Sequence, residues 1–586
     1  MNVETVQQNY AALRARAEAG WRALENAQVP RILVQLAGCG ISVGADRVYG
    51  ALEREVGRRG VAASVERVGC NGMCYMEPIV EVQLPGGPRV LYGQVTIDRV
   101  PELVQTVVQA GKHRPDWAFG VVGDQGVDGI PALKDVPYFG NQVRHVMALH
   151  GVIDPENLDH YIAHGGYAAF VKALTSMTRE EILAEVNASG LVGRGGAAFP
   201  TGRKWETAMK TPATPKYMFC NAEEGEPAIY KDRRILESDP HSVLEGMLIA
   251  AIVIGVDKGY VYVGGEHHLA AHRSEVAIQQ LYQNGLLGKN ILGSDFSLEM
   301  EVRVGAGSYA VGESSAMMSS LEGKRGMPRP KLVRSAEKGV WAKPTNMNNV
   351  ETYANVPRII RDGGAEFAKL GTAKSKGTKL FAPSGHIKYT GLIEVPFGVP
   401  LRHIVFDICG GMRTGRKFKA AQPAGPTGAT MPESQLDVPM SNEDTAAAGT
   451  VLGSGGLVVF DDSVCIVDFG IYMMQFNAIE SCTRCTTCRI GTARLTDTFN
   501  RWSRGEGQLE DFDTIRWLGP VMIETTLCGL GQAAPVPAIS IVDHFREELE
   551  AHILDHRCPA GVCEALVHGR EARERIEEAK VIKISV

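Results

Sequence analysis

Three cysteines stand in the run Cys482-Thr-Arg-Cys485-Thr-Thr-Cys488, and a fourth, Cys528, follows in Thr-Leu-Cys-Gly-Leu-Gly. Thiolates repeated every third residue can hold three corners of one cuboidal cluster, and a distant cysteine then closes the fourth. That is the ligation pattern of a [4Fe–4S] centre. Zinc is the first competitor, but it is usually held by separated pairs rather than a tight run of three. Unligated core cysteines fit poorly among Thr and Arg. A second group lies near the end of the chain: Cys465, His552, Cys558 and Cys563. Three thiols and one imidazole suit a tetrahedral zinc site, against unligated cysteines or the vestige of a lost domain. Cys220 and Cys409 read as core residues.

A cluster moves electrons one at a time, so the chain must also hold whatever feeds it. Composition narrows the setting. At 586 residues the chain has room for about four domains. Hydrophobic residues make up 44% and charged residues 22%, as in ordinary globular proteins. The formal net charge of −6 gives no reason to expect nucleic acid or an anionic membrane surface. No apolar run long enough to cross a bilayer occurs, and the first residues lack the plan of a signal peptide. Twelve cysteines in such a chain point to metal or redox chemistry in the cytoplasm rather than to disulfides.

Taken in order, residues 1–28 read as a polar helix. Residues 29–112 form a compact α/β unit, with a strand at Ile32–Leu36, a helix from Asp46 to Arg59 and a hairpin about Pro85-Gly-Gly-Pro. It contains Cys39, Cys70 and Cys74. Residues 113–165 read as a Gly- and Asp-rich connector. Beyond them strands at 216–220, 259–263 and 298–304 alternate with helices at 178–186, 241–254 and 269–284, which implies a parallel sheet covered on both faces.

Two loops of that region match G-x-G-x-x-A: Gly193 to Ala198, and Gly305 to Ala310. The first follows a helix and fails the context test for a dinucleotide fingerprint. The second follows a strand and opens a helix at Glu313, where backbone N–H groups can meet a phosphate. With Lys204 and the turn Asn221-Ala-Glu223-Glu224-Gly-Glu226, these loops suggest an acid-edged pocket for a phosphorylated flavin beside a nucleotide.

These motifs, with Lys-Pro-Thr-Asn-Met-Asn348-Asn349-Val-Glu-Thr and the four-cysteine pattern, occur in the order found in a known family. Over residues 140–565 the chain closely resembles the NADH-binding flavoprotein subunit of respiratory complex I. It is most similar to versions from NAD(P)-linked hydrogenases and formate dehydrogenases that carry a fused N-terminal module. The resemblance implies a multidomain α/β and α architecture. Its parts are a thioredoxin-like [2Fe–2S]-type module, a Rossmann-like FMN domain at 166–365, a β-grasp domain at 366–455, a helical [4Fe–4S] domain at 456–556 and a tail at 557–586. It places Gly193, Gly195, Lys204, Asn221, Glu223, Glu224, Tyr309, Gly312, Glu313, Asn348 and Asn349 at the flavin. It further implies that hydride passes from a reduced nicotinamide to FMN and that electrons leave singly through the cluster to partner subunits. The partners implied are a small [2Fe–2S] thioredoxin-like subunit and a catalytic subunit of hydrogenase, formate dehydrogenase or acyl-CoA-reductase type.

Departures from the family pattern shape the remaining expectations. Phe199 keeps one adenine-bracketing ring, but Thr207 and Arg334 replace others, and Ser314 follows Glu313 where a second acid is usual. Glu226 and Lys331 remain. Loss of an acid and gain of an Arg favour a 2′-phosphate, hence NADP(H). Weaker stacking of NAD(H), or a degenerate nucleotide site serving an electron relay, compete with that reading. A role that also couples ferredoxin, by bifurcation, competes with simple dehydrogenation. In the N-terminal module Val34 and Gln35 stand where a partner of Cys39 is expected. Either an unusual ligand completes the [2Fe–2S] set or the module lacks a cluster. Longer relatives continue from Cys-Pro-Ala-x-x-Cys into a ferredoxin domain, whereas here a charged helix, Arg570 to Lys580, is expected.

Overall fold

In a computed structural model, residues 2–569 are described; the helix expected from Arg570 to Lys580 lies outside them. The described residues form a mixed α/β and α architecture with three sheets and a helical body. A leading helix, α1 (Val3–Glu25), is capped by Asn2 and packs through Val6, Tyr10 and Ala17. The first sheet has the order β2-β1-β3-β4-β5, from β1 (Arg31–Gln35), β2 (Ser64–Val68), β3 (Val80–Gln83), β4 (Arg89–Tyr92) and β5 (Ala118–Val121). Only β1 and β2 run parallel. Helices α2 (Gly38–Ser42) and α3 (Ala45–Arg59) connect them. The sequence expects a connector from residue 113, but β5 pairs with β4 and completes the sheet, so this body runs past that boundary.

The second sheet is wholly parallel, in the order β8-β7-β6-β9. Its strands are β6 (Tyr217–Ala222), β7 (Lys258–Val263), β8 (Glu299–Val304) and β9 (Thr345–Asn349). The fourth strand is absent from the sequence reading because Thr-Asn-Met-Asn-Asn has no apolar alternation. Its polar side chains are nevertheless almost fully buried. Before its first strand lie α4 (Arg179–Ala188) and α5 (Thr201–Lys210), between strands α6 (Lys231–Ser238), α7 (Pro240–Ile254), α8 (His268–Gln283) and α9 (Ser314–Leu321), and after the last α10 (Val350–Asp362). Helix α4 starts in a capping box of Thr178 and Glu181. Helix α7 is buried on nearly all sides and apolar apart from His241, Ser242 and Glu245 near its start.

The third sheet, β11-β10-β14-β12-β13, joins β10 (Thr378–Gly385), β11 (Ile393–Pro396), β12 (Phe418–Pro423), β13 (Met431–Pro432) and β14 (Gly456–Asp461). The expected boundary at residue 456 is therefore misplaced. Strand β14 lies at the centre of this sheet, between β10 and β12, and the helical body starts after it. That body comprises α11 (Ile466–Ile479), α12 (Thr486–Ser503), α13 (Glu510–Thr525), α14 (Gly529–Ala533), α15 (Val536–His544) and α16 (Arg546–Ile553). Cys558 and Cys563 are buried in its core rather than lying in a separate tail. No helix among the described residues is long and apolar enough to cross a membrane.

Helices α7 and α10 approach closely at Gly246, where an added Cβ would lie 2.1 Å from the carbonyl oxygen of buried Tyr353. A backbone carbonyl cannot rotate aside as a side chain could. Gly246→Ala is expected to destabilise the chain by about 1–3 kcal/mol, read as a lowered melting temperature; an unchanged value would contradict the close approach.

Candidate cofactor site

In the second sheet β6, β7 and β8 step outward in one direction and β9 returns on the other side of β6. The crevice at such a reversal, outside the carboxyl ends of the strands, is where open α/β sheets bind ligands. The parallel register sets Asn221 of β6 beside Asn349 of β9. The loops that follow β6 and β8 carry Glu223, Glu224 and Glu226, and then Tyr309, Gly312 and Glu313. They join where Asn221 Nδ2 donates to the Gly312 carbonyl at 2.9 Å. An added Cβ on Gly225 would come within 3.1 Å of Tyr309 Cα, and one on Gly195 within 3.1 Å of Asn349 Cβ. The glycines thus let four backbone segments approach closely in two pairs.

Lys204 is delivered by α5 and donates to the Met347 carbonyl at 2.8 Å; burial lowers its ammonium to about 8. Asn348 is a positioning residue: its Oδ1 accepts from Trp205 Nε1 and from Asn346 Nδ2, both at 3.0 Å. Glu224 accepts the backbone N–H groups of Asp232 and Arg233 at the start of α6. Both carboxylate oxygens of Glu223, and Oε1 of Glu226, are buried without a hydrogen-bond partner. Orphaned buried acceptors over a glycine-lined crevice fit a polar ligand that supplies donors, and ribityl hydroxyls are such donors.

Asn349 leads to residues that the sequence reading does not single out. Its Nδ2 donates to Asp232, and its Oδ1 accepts from Lys231. Lys231 also pairs with Glu351, and Lys379 of β10 donates to Glu351 Oε2 at 2.6 Å and to the Ser454 carbonyl at 2.6 Å. All four charged groups are buried. Lys231 and Asp232 sit in an ordinary charged stretch, so no periodicity marks them; Glu351 lies inside the Asn-Asn-Val-Glu-Thr motif, where spacing alone assigns it no role.

The expected phosphate contact at the start of α9 needs correction. Glu313 itself caps that helix, its Oε2 accepting from Ser315 N at 2.8 Å and Ala316 N at 3.0 Å, so a carboxylate already uses the N–H groups. Ser314 Oγ contacts the same carboxylate, and Lys331 pairs with it at 3.3 Å. Phe199 is 46% exposed and Arg334 is exposed.

The four cluster cysteines converge beside this crevice. Cys485 and Cys528 occupy the N-cap positions of α12 and α14, where the helix dipole favours a thiolate, and Cys488 lies in the first turn of α12. Cys485 Sγ accepts from Leu527 N at 3.4 Å, and Ser481 Oγ lies 3.3 Å from Cys488 Sγ. Burial raises the Cys488 and Cys528 thiols, and neighbouring cysteines raise them further. Such a charge is relieved by iron, and four converging thiols fit a [4Fe–4S] cluster. Tyr309 packs against this cysteine group; its backbone N donates to Glu480 at 3.0 Å and its ring lies edge-on to Phe476. One loop therefore touches both the crevice and the cluster.

The C-terminal group also assembles. The ligand atoms of Cys465, His552, Cys558 and Cys563 all lie within 4.8 Å of one another, and all four residues are buried. The Glu548 carbonyl accepts from His552 Nδ1 at 2.7 Å, leaving Nε2 toward Cys465 Sγ at 3.3 Å. Cys39, Cys70 and Cys74 come together separately, between the first sheet and α6.

An oxidoreductase subunit with a flavin crevice on one side of a tyrosine loop and an iron–sulfur cluster on the other is the class this arrangement defines. Comparison with known proteins agrees. Residues 186–358 match the Nuo51 FMN-binding domain, and residues 468–552 match the NADH-ubiquinone oxidoreductase-F iron-sulfur binding region. The NADP-reducing hydrogenase subunit HndC of Solidesulfovibrio fructosivorans is 48% identical over 71% of this chain and 85% of its own. The F 2 subunit of NADH-quinone oxidoreductase from Rhizobium meliloti is 44% identical over 70% of this chain and 97% of its own. An NAD+-reducing [NiFe]-hydrogenase crystal structure in the H2-reduced state covers 95% of this chain and 90% of that one, at 26% identity and a TM-score of 0.63. The chain belongs to the family of NADH-quinone oxidoreductase F subunits, whose members bind FMN and a [4Fe–4S] cluster and transfer electrons between them.

Glu223 gives the crevice a pH signature. Its carboxyl is pushed up to about 8, first by burial and then by Glu266. A raised carboxylate value means that the stability linked to the neutral form is present in full below the ordinary 4.5 and is lost as pH rises through about 8. With the flavin stripped, the melting temperature is expected to fall across that window, and Glu223→Gln is expected to flatten the fall. Parallel profiles for the two proteins would refute the assignment.

Proposed function

We propose that this chain is the electron-entry subunit of an NAD(P)-linked complex, exchanging hydride between a nicotinamide dinucleotide and FMN and passing electrons singly to a partner. The observation that carries this reading is the tyrosine loop shared by the crevice and the cluster cysteines. FMN, when bound, supplies the conversion from two-electron to one-electron transfer. The residues' work is positional. Gly193, Gly195, Asn221, Tyr309, Gly312 and Asn349 shape the floor, Lys204 supplies charge, and Glu223 and Glu224 edge the pocket. Cys482, Cys485, Cys488 and Cys528 hold the cluster. In this reading the first sheet is a thioredoxin-like module, the second a Rossmann-like FMN domain and the third a β-grasp domain. The hydrogenases among the relatives favour a hydrogenase-type catalytic partner, with a small [2Fe–2S] subunit beside it.

The nucleotide lies across the rim at Phe199, Glu226, Ser314, Lys331 and Arg334. With Ser314 in place of an acid and Arg334 exposed, this edge accepts a 2′-phosphate, and the named activity of the Solidesulfovibrio relative supports NADP(H) as the preferred substrate. Anaerobic titration with NADH and separately with NADPH is expected to bleach the flavin band, NADPH acting at the lower concentration. The Arg334→Phe, Ser314→Glu double variant is expected to reverse that order by roughly tenfold or more, about 1.4 kcal/mol. A flavin reduced by dithionite but by neither nucleotide would instead identify a relay fed by proteins.

We also propose that Cys465, His552, Cys558 and Cys563 hold zinc, as their compact, buried donor set suits a closed tetrahedral site. Metal analysis should find about one zinc per chain. Cys563→Ser is expected to lose it and to lower the melting temperature while leaving the [4Fe–4S] signal in place. Full zinc content in that variant would exclude this ligand set.

A further inference from the structure

The thiols of the N-terminal module are absorbed by none of the chemistry above. Cys39 lies on α2, and Cys70 and Cys74 on the loop after β2. The Cys74 thiol neighbours those of both Cys39 and Cys70. Cys70 is fully buried, and its Sγ accepts from Gly72 N at 3.3 Å.

The flavin-sheet helix α6 closes over this group. Arg234, fully buried, donates from Nη2 to Cys39 Sγ and pairs with Glu237 at 2.9 Å. Glu237 in turn accepts from Gly38 N at 2.8 Å, and Ser238 Oγ accepts from Cys70 N at 3.1 Å. The cysteines are thus clamped between two bodies, with a fixed cation on the Cys39 sulfur.

Strand β1 supplies no fourth donor. Val34 is in the core, and the Gln35 amide is spent on Asn71 N and Glu81 Oε1. A different residue borders the cysteines. Glu77 is 8% exposed; its Oε2 accepts from Ile79 N at 3.1 Å, and its carboxyl lies beside Cys70. Its Oε1 has no partner. An added Cβ on Gly40, next to Cys39, would lie 2.9 Å from Glu77 Oε2, so the carboxyl also borders α2.

Three thiols, Cys70 buried and Cys39 and Cys74 half-buried, and an unpartnered buried carboxyl oxygen form a set of four anionic donors with one guanidinium to offset them. Left without a cation, such a set must stay protonated or carry uncompensated charge. We propose that Glu77 is the missing fourth ligand, so that Cys39, Cys70, Cys74 and Glu77 hold a [2Fe–2S] cluster, with the Arg234 guanidinium hydrogen-bonded to a ligand sulfur. Four such anions around a doubly charged two-iron core leave a net charge that Arg234 partly offsets, and hydrogen bonds to cluster sulfurs are among the factors that set its potential. The same helix carries Asp232, bonded to the flavin-crevice residue Asn349, less than a turn before Arg234, so the cluster would stand close to that crevice.

The full-length chain, reconstituted anaerobically with iron and sulfide, provides the test. The wild type is expected to hold about six irons rather than about four, and to give a binuclear EPR signal after dithionite beside the cuboidal one. Glu77→Gln and Cys74→Ser are each expected to lose the binuclear signal and about two irons. Flavin content and the [4Fe–4S] signal, retained in both, exclude misfolding as the cause. Glu77→Cys is expected to keep a binuclear signal with shifted g values and a lower midpoint potential. His150→Ala, which removes a buried imidazole lacking side-chain partners, is expected to match the wild type. About four irons in the wild type, a zinc ion in place of the pair, or a wild-type spectrum in Glu77→Gln would each overturn the assignment. None of these outcomes depends on whether a nucleotide reduces the flavin.

Discussion

Lys231, Asp232, Glu351 and Lys379 are four charges with almost no exposure to water, and the cofactor region is assembled on them. Taking ions out of water is costly, and only close pairing with filled hydrogen-bond capacity offsets that cost. Here two cations face two anions, and Glu351 Oε1 also accepts from Leu380 N at 3.0 Å. The group reaches three segments at once: α6, the β9–α10 junction and β10. Removing one member would leave another buried and unpaired, so the three segments are fixed in one relative placement. Glu224 extends the same arrangement by accepting the first N–H groups of α6, and burial and Asp232 raise its carboxyl to about 8.

Helix α6 then serves two neighbours. Its first turn belongs to the flavin crevice through Asp232, and its later residues Arg234, Glu237 and Ser238 belong to the N-terminal cysteine loop. A short helix locked at both ends makes the N-terminal module part of the same rigid frame rather than a tethered appendage. On the opposite side of the crevice the tyrosine loop performs a comparable service toward the helical body, through Tyr309, Phe476 and Glu480. The fold is thus organised as a central sheet whose ligand edge is contacted by two sulfur-bearing bodies. Geometry of this kind suits electron transfer, which needs short fixed separations more than it needs moving catalytic groups.

The third sheet contributes less chemistry and more placement. Glu394 of β11 accepts the N–H groups of His145, Val146 and Met147 and pins the segment between the first two bodies. Lys419 of β12 pairs with Glu548 on α16, which holds the helix that carries His552. Each of these contacts joins residues far apart in sequence, and each uses a charged side chain that reads, in one dimension, as ordinary surface.

Much of the site was legible in the sequence because its chemistry is local. The spacing of Cys482, Cys485 and Cys488 is a property of a few consecutive residues. So are the glycine loops, and so is the alternation of apolar strands and helices that implied a parallel sheet. The polar strand Thr345–Asn349 was not legible, since its burial comes from neighbours on both faces rather than from its own pattern. Nor were the capping role of Glu313, the buried lysines, or the placing of Glu77 beside Cys70. Residue order is enough to say which donors exist and which of them can share a loop. Which distant donors meet depends on packing and desolvation across hundreds of residues, and no local spacing encodes that.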